Sequence, residues 1–284
     1  MNFPLNKKLY PIFDSHAHVL PASKKDESNY DVEVDLQFRT HLMDKVAIRA
    51  GLLMASNVYE RPHGIADTRR QNDFVAWYRD AYPGRFPIAI GTIEPNHGRD
   101  VGIEEIHRMK EELGILGVVW HHHFNGSMMD EPRMIAFCQE LARLGMVAFV
   151  HLNVAGQHES PNHLDVLAQR VPECTIVALG AFSSHKNMHD LRYVGERCSN
   201  VLFETSLAWP MGQPILEYVD RFGSERILFG TDMHYEPERS WLYPTGLVDI
   251  LDSPRLQERD RENILWMNAE RLFPVLEKVR AKLD

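Results

Sequence analysis

Pro11-Ile12-Phe13-Asp14-Ser15-His16-Ala17-His18-Val19-Leu20 is the stretch from which the fold is read. Ile12 and Phe13 form a short buried strand that runs into Asp14-Ser15-His16-Ala17-His18. Side chains alternate faces along a strand, so His16 and His18 point the same way at its C-terminal end. Two neutral imidazoles on a rigid element bind a divalent transition metal with little reorganisation. The spacing alone carries little weight. With 15 His in 284 residues, roughly one such pair arises by chance, and His121/His123 is a second. The first pair gains weight from its place, at the exit of the first strand of a repeating strand–helix chain.

Seven further apolar runs follow, at 46–54, 86–93, 115–120, 146–150, 175–179, 201–204 and 227–229. Amphipathic segments separate them. Asp67 heads a helix reaching Tyr82 with Phe74, Trp77 and Tyr78 on its apolar face, and Asp130-Glu131-Pro132 opens another that ends at Gly145. Residues 255–268 and 269–283 close the chain as helices. Short apolar strands with little alternation imply a parallel sheet covered by helices. Eight units without a break in composition imply an α/β fold, a (β/α)₈ TIM barrel forming a single domain over 1–284. No Gly-x-Gly-x-x-Gly follows the first strand, which argues against a dinucleotide-binding sheet.

Composition narrows the function. Hydrophobic residues at 44% and charged residues at 25% are those of a globular protein, and a net charge of −9 disfavours nucleic acid and anionic membranes as partners. No apolar run reaches the ~18 residues of a membrane span, and the N-terminus has no signal-peptide core. Cys138, Cys174 and Cys198 are scattered and make neither a metal spacing nor a disulfide framework. A cytoplasmic enzyme acting on a small molecule is expected, with self-association left open.

In such barrels the chemistry lies at the C-terminal ends of the strands. Strand one supplies His16 and His18, strand three Glu94, strand four the run His121 to His123, strand five His151 and strand eight Asp232. Three imidazoles (His16, His18, His151) and one carboxylate (Asp232) make a metal shell with room for water or substrate. Arg49, Arg61 and Arg69 can grip a substrate carboxylate, though arginines are commoner as surface residues. Trp209 and Trp241 either wall a pocket for a planar substrate or simply pack.

These residues carry a resemblance. Asp14-Ser15-His16-Ala17-His18, Val150-His151, Ile227-Leu228-Phe229-Gly230-Thr231-Asp232 and Asn268-Ala269-Glu270-Arg271-Leu272-Phe273 resemble the amidohydrolase superfamily. The branch is the one that includes aminocarboxymuconate-semialdehyde decarboxylase and small-lactone hydrolases. The resemblance implies that His16 and His18 are the first-strand metal pair and His151 the fifth-strand ligand. It also makes Asp232 the eighth-strand aspartate that ligates metal and activates water or takes a proton.

Two departures matter. Ala181 stands where the family usually has a strand-six histidine, with His185 four residues on, and no metal-bridging lysine ends strand four, where Val119 is the nearest match. One ion, Zn²⁺ with Mn²⁺ as second choice, is therefore expected rather than two. His-x-His in place of the Glu-x-His of several decarboxylases leans toward hydrolysis. The expected activity is a metal-dependent hydrolase of a small, carboxylated lactone, ester or amide, with Asp232 as acid–base group. A metal-dependent decarboxylase is the alternative, and a barrel that binds ligand without turnover is the third. His121, His123 and His185 are the candidates for the missing histidine's catalytic role, against their being solvated loop residues.

Overall fold

The structure is a computed structural model that describes residues 8, 10–19, 32–56, 61–152, 157–208, 213–234 and 245–282, without the side chains of 185, 186, 213 and 245. Its strands are β1 (Ile12–Asp14), β2 (His18–Val19), β3 (Ile48–Ala55), β4 (Ile88–Thr92), β5 (Gly117–Trp120), β6 (Val147–His151), β7 (Ile176–Leu179), β8 (Val201–Glu204) and β9 (Ile227–Leu228). All pair in parallel in the order β1-β3-β4-β5-β6-β7-β8-β9, with β2 also on β3.

The first stave comes in two pieces, β1 and β2. The chain bends between them at Ser15-His16, where the His16 N–H turns onto its own neighbour's carboxylate, Asp14 Oδ1, at 3.1 Å. The ring closes at this bend. Ser15 N–H donates to Phe229 O (2.9 Å), Asp232 N–H to His16 O (2.8 Å) and His18 N–H to Met233 O (2.8 Å). The fold is the expected (β/α)₈ barrel.

The period of two explains where side chains go. Phe13, Leu52, Met54, Ile88, Ile90, Val119, Phe149, Val177, Leu179 and Leu228 pack together as the barrel interior. Their neighbours Ile12, Leu53, Ala89, Val118, Ala148, Ile176 and Ile227 belong to the layer under the helices. With both faces buried, the strands read as unbroken apolar runs. Two residues beyond Val119 and Phe149, on the same face, stand His121 and His151.

The surrounding helices are α1 (Val32–Lys45), α2 (Ile65–Ala81), α3 (Arg99–Glu111), α4 (His122–Asn125), α5 (Pro132–Leu144), α6 (Pro161–Arg170), α7 (His185–Arg197) and α8 (Gln213–Phe222). Helix α5 begins as expected, with extended Glu131 then Pro132, and ends where Gly145 turns left-handed (φ 63°). The helix expected at 255–268 is instead interrupted: Glu258–Glu262 passes into a π-helical turn, Asn263–Met267, before Asn268–Leu272. The wider turn sets Trp266 edge-on to Phe13, centroids 5.8 Å apart, against the interior core.

One buried charge pair ties this frame to the first stave. Arg39 of α1 is wholly buried, with Nε donating to Asp35 Oδ2 (2.8 Å) and Nη2 to the carbonyl of His18 (2.6 Å). Tyr78 of α2 donates its hydroxyl to the same Asp35 oxygen at 2.9 Å. No helix among the described residues is long and apolar enough to cross a membrane.

Candidate metal centre

Asp14 organises the site from underneath. Its Oδ1 accepts the N–H of His16 (3.1 Å) and of Thr231 (2.9 Å), and its Oδ2 the Thr231 hydroxyl (2.6 Å). Burial pushes this carboxyl up to about 6, against the opposing pull of those hydrogen bonds. One side chain thus joins the exits of the first and last strands. Gly230 lets them meet: a Cβ there would stand 2.7 Å from His16 Cβ and 2.3 Å from Glu204 Oε1.

The imidazole of His16 is aimed by Glu204, at the end of β8. Nδ1 lies 3.0 Å from Glu204 Oε2 and 3.0 Å from Ser206 Oγ. The carboxylate, wholly buried, also accepts the Ser206 hydroxyl (2.7 Å), the Gly180 N–H (3.0 Å) and the Ser206 N–H. A carboxylate can only accept, so His16 carries its hydrogen on Nδ1 and turns the lone pair of Nε2 inward. His151 is set the same way, its Nδ1 donating to Trp120 O at 2.8 Å.

The inward nitrogens converge. His16 Nε2 lies 2.9 Å from His18 Nε2, and Asp232 Oδ1 lies 3.2 Å from the first and 3.6 Å from the second. His16, His18 and His151 bring ligand atoms within 4.8 Å of one another, and so do His18, Asp232 and His234. His234 Nε2 is 3.0 Å from the same Asp232 oxygen. Asp232 adopts a left-handed backbone (φ 56°), which the short side chain of an aspartate tolerates and which brings residues 232 and 234 back to one spot.

Lone pairs and a carboxylate at these distances repel unless a proton or a cation lies among them. Burial alone would lower His16, but the carboxylates of Asp232 and Glu204 push it up to about 9. His18 and His151 are held well below the usual imidazole value by burial and by neighbouring imidazoles. Burial would raise Asp232, yet His16 and His234 outweigh it and hold its carboxyl far below the usual range. A divalent cation fits this donor set: neutral imidazoles, one ionised carboxylate and backing groups that fix each tautomer.

The other expected site residues divide. His121 reaches the cluster, its ring stacked on His151 (centroids 4.3 Å, planes 14° apart). His123 lies beside His121, with centroids 6.2 Å apart. His185 opens α7, and its side chain is outside the described set, as are Trp209 and Trp241. Ala181 is buried, its N–H donating to Glu204 O at 3.1 Å. Glu94 is engaged elsewhere, accepting from Asn125 Nδ2 (2.7 Å) and pairing with Arg61 (3.1 Å). Arg69 pairs with Glu104 and Glu105 on α3, and Arg49 is exposed on β3, so neither joins the histidine cluster.

Four residues escaped the sequence reading: Glu159, Glu204, Ser206 and His234. Glu204 left a signal, an acid ending an apolar strand run where a barrel keeps its chemistry. His234 left a similar one, two residues past Asp232. Glu159 left none, since it comes from a short 3₁₀ turn, Gln157–Glu159, in the loop after β6.

A family model described as amidohydrolase matches residues 13–275. A 2-amino-3-carboxymuconate-6-semialdehyde decarboxylase of Dictyostelium discoideum is 24% identical over 140 residues, 49% of this chain; the chain spans 38% of that relative's length. A 5-carboxyvanillate decarboxylase from Sphingomonas paucimobilis superposes with a TM-score of 0.70 at 17% identity, covering 93% of this chain and 99% of that one. A dihydroxybenzoic acid decarboxylase from Polaromonas sp. JS666, solved with manganese and the inhibitor 2-nitroresorcinol, gives 0.68 at 18% identity, covering 97% and 98%. These relatives are decarboxylases, so the expectation of a hydrolase is overturned in favour of its decarboxylase alternative. The lean toward hydrolysis rested on His16 standing in place of a glutamate, and a change of one ligand type does not by itself fix the reaction. The ion named in the Polaromonas structure is manganese, whereas zinc was expected here first. The barrel, its rim and a family model running from the first strand to the last helices agree: this chain belongs to the amidohydrolase family.

Proposed function

We propose that this chain is a metal-dependent decarboxylase of a small carboxylic acid, with His16, His18, His151 and Asp232 holding one divalent ion. The observation that carries the metal site is the convergence of those four side chains from β1–β2, β6 and the turn after β9. The named activities of its relatives support the reaction. Residues 1–284 act as one domain in this proposal, and a small molecule is the partner. Manganese is the first ion to test and zinc the second.

Decarboxylation breaks the bond between the carboxylate carbon and its neighbour, releases CO₂ and leaves an electron pair that a proton must fill. When bound, the ion supplies positive charge that orients the acid and stabilises that pair. His234 Nε2 and Asp232 Oδ1 lie 3.0 Å apart at the mouth of the cluster, and this hydrogen-bonded pair is the route by which a proton reaches the carbon in this proposal. Glu204 keeps His16 from rotating, and Asp14 keeps the two strand exits together.

The test is a loading experiment followed by a substrate panel. Purified protein should take up about one equivalent of Mn or Zn and then release CO₂ from hydroxylated aromatic or unsaturated acids. CO₂ release from none of the acids, with esters or lactones cleaved instead, would reject the proposal.

Metal uptake should depend on pH through His16. Its pKa is raised, so the protonated form that competes with the ion persists up to about pH 9. His18 and His151 are lowered and already neutral at pH 7. Affinity should therefore rise by about tenfold per pH unit from pH 7 and level off near pH 9, one proton being released per ion. A flat profile in competition titrations over that interval would remove His16 from the ligands.

A further inference from the structure

Asp232-Met233-His234 runs parallel beside His16-Ala17-His18, bridged at Ala17 and Met233. The Asp232 N–H donates to His16 O at 2.8 Å and the His18 N–H to Met233 O at 2.8 Å. This register sets Asp232 next to His16 and His234 next to His18. The side chains agree with it: Asp232 Oδ1 lies 3.2 Å from His16 Nε2, and the rings of His18 and His234 are 4.8 Å apart and tilted by 30°. The rim therefore carries two pairs spaced i, i+2. One is the His-x-His visible in the chain, and the other is an Asp-x-His that ring closure brings against it.

Donors at right angles around an ion with bonds of ~2.1 Å stand about 3 Å apart. His16 Nε2 and His18 Nε2 are 2.9 Å apart, and Asp232 Oδ1 is 3.2 and 3.6 Å from them. His234 Nε2 is 3.0 Å from the same oxygen, so its separation fits an edge of that shell as well as the others do. We propose that His234 Nε2 is a fifth protein donor to the ion, and that the carboxylate of the substrate displaces it. His121 is anchored apart from this shell. Its Nδ1 is bonded to the buried Glu159, whose same oxygen accepts the His123 N–H at 2.8 Å, and neither His121 nor His123 belongs to the donor groups among the described residues. His234 is also the donor best placed to leave, its side chain 22% exposed against 1% for His16 and 4% for His18. A nitrogen bound to a cation cannot also carry a proton. His234 therefore joins Asp232 in moving a proton only after the carboxylate has taken its place, so the acid itself readies that route. This inference rests on the metal centre and the carboxylate substrate of the decarboxylase reading.

The test is magnetic resonance of the cobalt-loaded protein with isotope-labelled histidine, in which each imidazole on the paramagnetic ion gives its own strongly contact-shifted ring signal. The wild type should show signals from His16, His18, His151 and His234, and His234→Ala should lose one of them. Chelator competition should find manganese bound at least ~10-fold more weakly by His234→Ala. His234→Gln can still donate a hydrogen bond to Asp232 but has no imidazole, so it should bind manganese as weakly and lack the same signal. Circular dichroism reports whether each variant is folded. Benzoate added to the wild type should remove the His234 signal and no other. An equal set of signals in wild type and variants, or full metal affinity in His234→Gln, overturns the ligand assignment. A His234 signal that persists with benzoate, while an acid of the panel still loses CO₂, overturns the displacement and leaves the decarboxylase reading standing. If the signals change as expected but no acid loses CO₂, the decarboxylase reading falls and His234 remains a ligand. A wild type that takes up no cobalt removes the metal centre and this inference with it.

Discussion

Arg39→Ala is expected to destabilise the protein by about 3–5 kcal/mol, the usual effect of removing one partner from a buried charge pair. Arg39 and Asp35 are both fully buried in α1, 2.8 Å apart, and the guanidinium also holds the carbonyl of His18. Alanine leaves Asp35 desolvated with the Tyr78 hydroxyl on the same oxygen, and it takes a charged donor from the backbone of a proposed ligand. Urea unfolding should show a lower midpoint with the slope unchanged. The double variant Asp35→Leu/Arg39→Met should recover most of the loss, because a well-packed apolar pair can replace a buried ion pair at little cost. A loss below ~1 kcal/mol in the single variant would mean that water reaches this network, as at a surface pair. The second readout is functional: metal affinity should weaken in Arg39→Ala more than in the double variant only if packing, rather than the hydrogen bond to His18, positions that ligand.

Which parts of this molecule were legible in the chain follows from how each signal is stored. The barrel was legible because strands buried on both faces must be continuously apolar, as 146–150 and 175–179 are, and because Pro132 and Gly145 mark helix ends through their own backbone limits. The proposed ligands were legible because a strand exit converts a position in sequence into a position at the rim. The division of the first stave into β1 and β2 was not, since it depends on Asp14 bonding to Thr231, 217 residues away. Glu204 acquires its role only when β9, the neighbour of β8, meets the first stave and the ring closes, and Glu159 only when its loop folds back over the exit of β5. The π-helical turn at Asn263–Met267 also depends on what it packs against, here Phe13 and the barrel interior. The reaction was the least legible, because one ion shell serves hydrolysis and decarboxylation alike and fold does not decide chemistry.

Asp232→Asn is expected to lower the rate of CO₂ release by about 10²–10⁴-fold, the usual contribution of a positioned acid–base group. The substitution is informative because so little else should change. Residue 232 sits at φ 56°, a conformation that asparagine adopts as readily as aspartate, so the turn that brings His234 and Asp232 together is retained. The amide oxygen can still face His16 and His18, now 3.2 and 3.6 Å from the carboxylate oxygen, although the loss of its charge will weaken the ion's attachment. Turnover should therefore be measured at saturating manganese, alongside the binding of 2-nitroresorcinol, a compound with no carboxylate to lose. Retained binding with lost turnover assigns Asp232 to the proton step rather than to the pocket. Asp232→Ala, by comparison, should lose the metal as well, because it removes the ligand oxygen and puts a Cβ-bearing residue into a left-handed turn without a side chain that can bond locally. An unchanged turnover number in Asp232→Asn would leave this residue as a ligand alone and move the search for the proton donor to His234.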